Sequence, residues 1–191
     1  MANADQPRGL VPVNELGGTF CASVGEYFIP ATDSNAMSVG DPVKYAGSSD
    51  SEGVPTVAVA TAGDACCGVI VGFVADKDYE DQTHRTASTA RYALVADSPN
   101  QLFVVQEDSV SATLAAADVG LNANLVFGGT NTTTGMSGVE LDSDSKNTTA
   151  TLQVKVIRLD RRPDNEIGTN ADWIVKINNH QHGSHTGTAG V

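Results

Sequence analysis

The residues best suited to chemistry are three cysteines and four histidines. Cys66 and Cys67 adjoin in "TAGDACCGVIVGF" (61–73), and Cys21 stands apart. Two cysteines spaced Cys-x-x-Cys can share a metal or bond to each other. Adjacent cysteines in a strand point to opposite faces, and a bond between neighbours departs from normal disulfide geometry. All three are read as small buried hydrophobes. His180, His182 and His185 crowd the C-terminus, a density that can bind zinc or nickel. That segment is Gly-rich, and a catalytic metal needs a rigid, hydrogen-bonded cage. No metal site is assigned, and the segment is expected to be solvated or to dock at an interface.

The remaining signals are weaker. His84 in "DQTHRTAST" has no evident triad partner. Asp142 and Asp144 in "LDSDSKN" lack the sharp-turn Gly and closing Glu of a calcium loop, so a solvated turn is expected. "GGTF" and "FGGT" lack the strand–helix setting of a phosphate loop. Asn131 and Asn147 sit in N-x-Thr sequons, which matter only in a secreted eukaryotic protein. No Ser/His/Asp, Cys/His or paired-carboxylate layout stands out. The expectation is no catalytic residue, no cofactor and no enzyme activity.

Short β-rich runs alternate with Gly/Asp/Ser/Asn clusters almost throughout, which predicts an all-β sandwich or barrel, jelly-roll-like, with at most one short helix. Residues 1–24, broken by Pro7, Gly9, Pro12, Gly17 and Gly18, read as an extended, irregular arm. Residues 25–178 read as one β-rich domain, and 179–191 as a flexible His/Gly-rich tail. Strands are expected within 25–31, 40–47, 53–60, 149–160 and 171–178. In the last, Trp173, Val175 and Ile177 form one stripe. Across 66–74, Cys67, Val69, Val71 and Phe73 would line a core face. The other face carries Gly68 and Gly72, which admit a neighbouring backbone. Residues 89–108 read as a hairpin turning at Asp97-Ser98-Pro99-Asn100. Residues 111–120 read as a short helix capped by Ser111 and ended by Gly120, or as a loop with one helical turn. Residues 127–138 read as an exposed turn or loop.

With 23 acidic and 11 basic residues the net charge is −12, which argues against nucleic acid as a partner. No apolar window is long enough to cross a membrane as a helix, and the N-terminus lacks a secretion-signal layout. An odd cysteine count describes no disulfide framework, so synthesis in a reducing cytoplasm is expected.

Taken in order, "MANADQPRGL", "YFIPATDSNAMSVGDPVKYAG", "GVPTVAVATAGDACCGVIVGF", "STARYALVADSPNQLFVVQED", "AAADVGLNANLV", "SGVELD" and "RPDNEIGTNADWIVKINNHQ" resemble the capsid cement, or head decoration, proteins of tailed bacteriophages. The similarity covers most of 1–181, and no phrase is a catalytic signature. The resemblance implies a β-rich subunit made in the bacterial host and bound to the outer surface of the virion head. It implies contact with the major capsid protein, self-association as a dimer rather than a trimer, and no catalysis. It carries over no contact residue.

The residues themselves suggest where contacts lie. Apolar or charged side chains in segments with too few strand signals to fill a core are Pro7, Arg8, Leu10, Val11 and Val13 in the arm, and Arg161, Arg162, Asp164 and Asn165 in the loop at 160–170. On this reading, removing residues 2–13 weakens head binding and leaves the fold intact. The alternative is a virion-surface carbohydrate- or receptor-binding module. Such a module wants exposed aromatics, and only Trp173 and four tyrosines are on hand beside five phenylalanines.

Overall fold

The computed structural model describes residues 3–18, 23–80, 82–183 and 186–190. The fold is all-β, and the described residues hold twelve strands and two single-turn 3-10 helices, Ala116–Asp118 and Ser143–Ser145. Five strands close into a barrel in the order β2 (Gly25–Ile29), β4 (Pro55–Val59), β3 (Pro42–Ser49), β5 (Gly68–Phe73) and β6 (Arg91–Ala96). Only the β2–β4 seam, at Phe28 and Thr56, is parallel. Five more strands form an open antiparallel sheet in the order β1 (Val11–Glu15), β7 (Gln101–Gln106), β12 (Asp172–Ile177), β11 (Val154–Leu159) and β8 (Asn122–Ala123). The last two, β9 (Leu125–Thr130) and β10 (Ser137–Leu141), make a separate ribbon.

Two cores follow from this arrangement. The barrel interior is filled by residues such as Ile29, Val43, Val57, Cys67, Ile70 and Val95. A larger core joins the outside of the barrel to the inner face of the open sheet. In it Cys66, Val69 and Ala96 meet Phe103, Val105, Trp173, Val175 and Val156, with Leu125 and Leu141 of the ribbon. Trp173, Val175 and Ile177 do share one face, and Trp173 is fully buried.

Several expectations are corrected. Residues 89–108 hold two strands but no hairpin. Both edges of β6 are taken by β2 and β5, and both edges of β7 by β1 and β12. Asp97–Asn100 therefore carries the chain from barrel to sheet. The alternation in β5 also breaks. Val69 and Val71 pack with Cys66 on the sheet side, while Ile70 and Phe73 pack with Cys67 inside the barrel. An irregularity between Ile70 and Gly72 shifts the register. Gly68 meets its expected role, since a Cβ there would lie 2.5 Å from the Ala96 carbonyl oxygen.

The stretch 1–24 is not irregular throughout. Residues 11–15 are an edge strand, where the missing N–H of Pro12 is tolerated. Leu10 is 1% exposed. It is seated by Gly9 and Gly40, both at positive φ, and a Cβ on Gly9 would sit 2.5 Å from the Gly40 carbonyl oxygen. The described part of the tail is also tied down. Cys66 N–H donates to the Asn179 carbonyl and Gln181 N–H to the Cys66 carbonyl, both at 2.9 Å. Thr188 N–H donates to Asn178 Oδ1 at 2.9 Å. Of the two readings of 111–120, the structure has the loop with one helical turn, Ala116–Asp118, whose N-cap is Ala115 and not Ser111. Asp142 caps the other 3-10 turn, accepting from the N–H groups of Asp144 and Ser145. Residues 127–130 belong to β9 rather than a loop, and β11 starts only at Val154.

Because Leu10 fills the shared core, Leu10→Ala is expected to cost about 2–5 kcal/mol in urea denaturation. Removal of residues 2–7 leaves Leu10 and β1 in place but takes away the hydrogen bonds of Asn3, Asp5 and Gln6, so it should cost about 1–3 kcal/mol. Removal of residues 2–13 takes away Leu10 and three of the five residues of β1 and should destabilise the fold severely.

Candidate functional site

The register of the open sheet orders its outer face. Gln106 lies opposite Asp172, Val104 opposite Ile174, and Leu102 opposite Lys176. Lys176 in turn lies opposite Lys155. Leu102, Val104 and Ile174 form a small apolar cluster midway, with Ile157 against it.

At the Gln106/Asp172 end the arm and the 160–170 loop come together. Arg8 Nη2 donates to Asp172 Oδ2 at 2.7 Å, and Arg162 Nη2 donates to the same oxygen. Arg162 Nε also meets Asp160 at 3.0 Å and Asp164 at 3.7 Å. Gln6 N–H donates to Gln106 Oε1 at 2.8 Å, and Gln106 Nε2 donates to Asp5 Oδ1 at 3.0 Å. Asn3 Nδ2 reaches the carbonyls of Glu166 and Thr169, both at 2.9 Å, and its Oδ1 accepts from Glu166 N–H at 3.1 Å. The loop itself is folded around Asn165. Its amide donates to the Asp160 and Asp172 carbonyls at 2.7 and 2.8 Å and accepts from Asp172 N–H at 2.9 Å.

Asp172 is the pivot. Its side chain is 7% exposed, against 29% for Arg8 and 43% for Arg162. A nearly buried carboxylate needs charged partners, and here they come from two segments more than 150 residues apart in sequence. Both guanidiniums keep exposed faces, so the clasp fixes the backbone while leaving polar groups at the surface. Exposed apolar side chains lie on the same two segments and on β1 and the turn after it: Pro7, Val13, Leu16 and Ile167.

Of the expected contact residues, Arg8, Arg162 and Asp164 converge here, with exposed Pro7 and Arg161 next to them in the chain. Val11 is half-buried in β1, and Val13 is exposed farther along it. Leu10 and Asn165 are not surface contacts, because one fills the core and the other is the loop's buried internal tie. Leu16, Ile167 and Asp172 were not singled out. An isoleucine amid the polar residues of "DNEIGTN" was a usable signal; Asp172 carried none, since it reads as the polar start of a strand.

Elsewhere, burial pushes the Cys66 and Cys67 thiols up to about 12, so both stay protonated and unreactive at neutral pH. Cys21 and His185 lie outside the described residues. His180 is 2% exposed, and its Nδ1 accepts from His182 N–H at 3.0 Å. His182 Nε2 lies 2.7 Å from the Tyr45 hydroxyl. Burial lowers His180 to about 4, helped by His182 and Lys176 and opposed by Asp97. Among the described residues no three His, Cys, Asp or Glu side chains are grouped to hold a metal ion, and no helix is long and apolar enough to cross a membrane.

The chain matches no protein-family model, no curated protein and no solved structure.

Asp172→Ala should release the arm. Amide exchange at residues 3–8 is expected to accelerate, with a stability loss of about 1–3 kcal/mol, the two freed guanidiniums being able to rehydrate. Unchanged exchange in the arm would mean the clasp does not hold it. His180 gives a second expectation. Its folded pKa, about 4, lies below the ordinary 6.5. The unfolded chain therefore takes up a proton that the folded chain refuses, and stability falls as pH drops from about 6.5 towards 4. His180→Gln should flatten that part of the stability–pH curve.

Proposed function

We propose that the protein is a capsid cement subunit that binds the outer surface of a tailed-phage head and stabilises the lattice of the major capsid protein. The observation that carries this reading is the clasp at Asp172, which gathers arm and loop into one fixed surface. Exposed Pro7 and Ile167 lie in those two segments, with Arg161, Arg162 and Asp164 around them. A protein that adheres by area needs such a preordered surface, because ordering side chains on contact subtracts from affinity. A specific contact of this kind buries about 1,600 Å² in total.

The outer side of β1, the edge strand of the open sheet, extends the surface with Val13 and Leu16. Self-association as a dimer would anchor each unit at two points and lengthen its residence through effective concentration. The net charge of −12 keeps decorated particles apart in solution. On this reading the subunit acts passively, in the virion, with no reactive centre. A sugar-binding module is less well supported, because Trp173 is fully buried and Phe103 with it.

The test uses heads that lack the subunit. Purified protein added back should co-sediment in hundreds of copies per head and raise the temperature at which DNA is released. Ile167→Asp together with Arg161→Glu should weaken binding at least about tenfold, equivalent to 1.4 kcal/mol, with the isolated fold unchanged. Heads that release DNA at the same temperature with and without the protein would refute the reading.

A further inference from the structure

The far end of the outer face holds a cavity of about 320 Å³, lined on its apolar side by Leu16, Pro99, Ile157 and Ile177 and on its polar side by Lys155, Lys176 and His180. Among the described residues no acidic side chain lines it, although acidic residues outnumber basic ones 23 to 11 in the chain. We propose that this cavity is a binding site for a small aliphatic carboxylate, its charge between Lys155 and Lys176 and its hydrocarbon against Leu16, Pro99 and Ile157.

Three observations lead there. First, Lys155 and Lys176 are direct cross-strand partners. Like charges in that position repel. Neither ammonium reaches a carboxylate among the described residues. Lys155 Nζ donates to the Ala189 carbonyl at 2.7 Å and Lys176 Nζ to Asn100 Oδ1 at 3.4 Å, both neutral acceptors. An anion between them converts the repulsion into two attractions.

Second, His180 has a donor to spare. Its Nδ1 is used as an acceptor by His182 N–H, so in the neutral ring the proton sits on Nε2. That Nε2 is buried and has no hydrogen-bond partner among the described residues, so its desolvation is not offset. A carboxylate oxygen is the acceptor it lacks. The acids nearby are committed elsewhere: Asp97 Oδ2 accepts from the Tyr27 hydroxyl at 2.8 Å, and Glu15 Oε1 from the Ser98 hydroxyl at 2.7 Å.

Third, the rest of the lining selects for hydrocarbon. Asn178 spends its amide on Ala150, Leu152 and Thr188, so it offers a ligand nothing. Thr188 spends its hydroxyl on Asn178 and Asn100 its Oδ1 on Lys176, and the walls beside them are Gly183, proline and aliphatic side chains. A cavity of about 150 Å³ accepts a six-carbon ring, so a short-chain acid fits with its head group included. A bare inorganic anion would leave the aliphatic wall wet.

The full chain is titrated with sodium butanoate at constant ionic strength, with butan-1-ol and inorganic phosphate as controls, following the side-chain NMR signals of His180, Lys155 and Lys176. Butanoate should give saturable shifts at all three, and each control an affinity at least about fivefold weaker. Lys155→Gln with Lys176→Gln should weaken butanoate at least about fivefold and leave the ligand-free melting temperature unchanged or higher, because the repelling pair is gone. Should the double variant fold poorly, the single variants carry the same comparison. The absence of saturable shifts, equal binding of either control, or unchanged affinity in the lysine variants would each overturn the proposal. Head binding plays no part in the readout, so the result stands apart from the cement reading.

Discussion

Strand β7 is enclosed on every side. Its edges pair with β1 and β12, its inner face packs Phe103 and Val105 against the barrel, and its outer face holds Leu102 and Val104. All six of its residues are buried. The open sheet is built outward from this strand, and the large core closes only because Phe103, Trp173 and Val175 meet the outside of β5 and β6. The same enclosure explains why the N-terminal residues are part of the fold. Without β1, one edge of β7 would be unpaired and Leu10 would leave a hole beside the barrel.

The sequence announces its strands better than their partners. Alternation marks Trp173, Val175 and Ile177 because burial on one face has period two. Pairing is a different matter. Asp97–Asn100 has the chemistry of a tight turn, and a hairpin was the local solution. The apolar residues on both faces of β7 meant instead that it would sit inside a larger sheet, a demand only the whole chain can meet. Bulges escape for a similar reason, since the register shift near Gly72 redirects side chains without changing residue types. At the candidate site, Arg8 and Arg162 were legible as charges in segments without strand patterning. Their shared carboxylate was not, because nothing local connects residue 8 to residue 172.

On the proposed cement reading, the clasp at Asp172 answers a general constraint on adhesive proteins. A free arm would lose conformational entropy at the moment of docking, about 1–2 kcal/mol for each backbone residue fixed. Here residues 3–8 are already held by Asn3, Gln6 and Arg8 before any partner arrives. The ordering cost has been met within the fold, by polar bonds that do not consume the exposed apolar side chains. What remains available for contact is Pro7, Val13, Leu16 and Ile167, which lose only their hydration on docking.

The two ends of the outer face handle charge in opposite ways. At one end a nearly buried carboxylate is matched by two guanidiniums of the same chain. At the other, two ammoniums face each other and, among the described residues, reach neutral acceptors. The net charge of −12 does not cancel that second arrangement, because exposed charges beyond a Debye length, about 8 Å at physiological ionic strength, are largely screened. Within that distance the local pair dominates the field. An acidic protein can thus carry a positive niche, and the niche persists because the β11–β12 register that buries Trp173 and Val175 on one face sets Lys155 against Lys176 on the other.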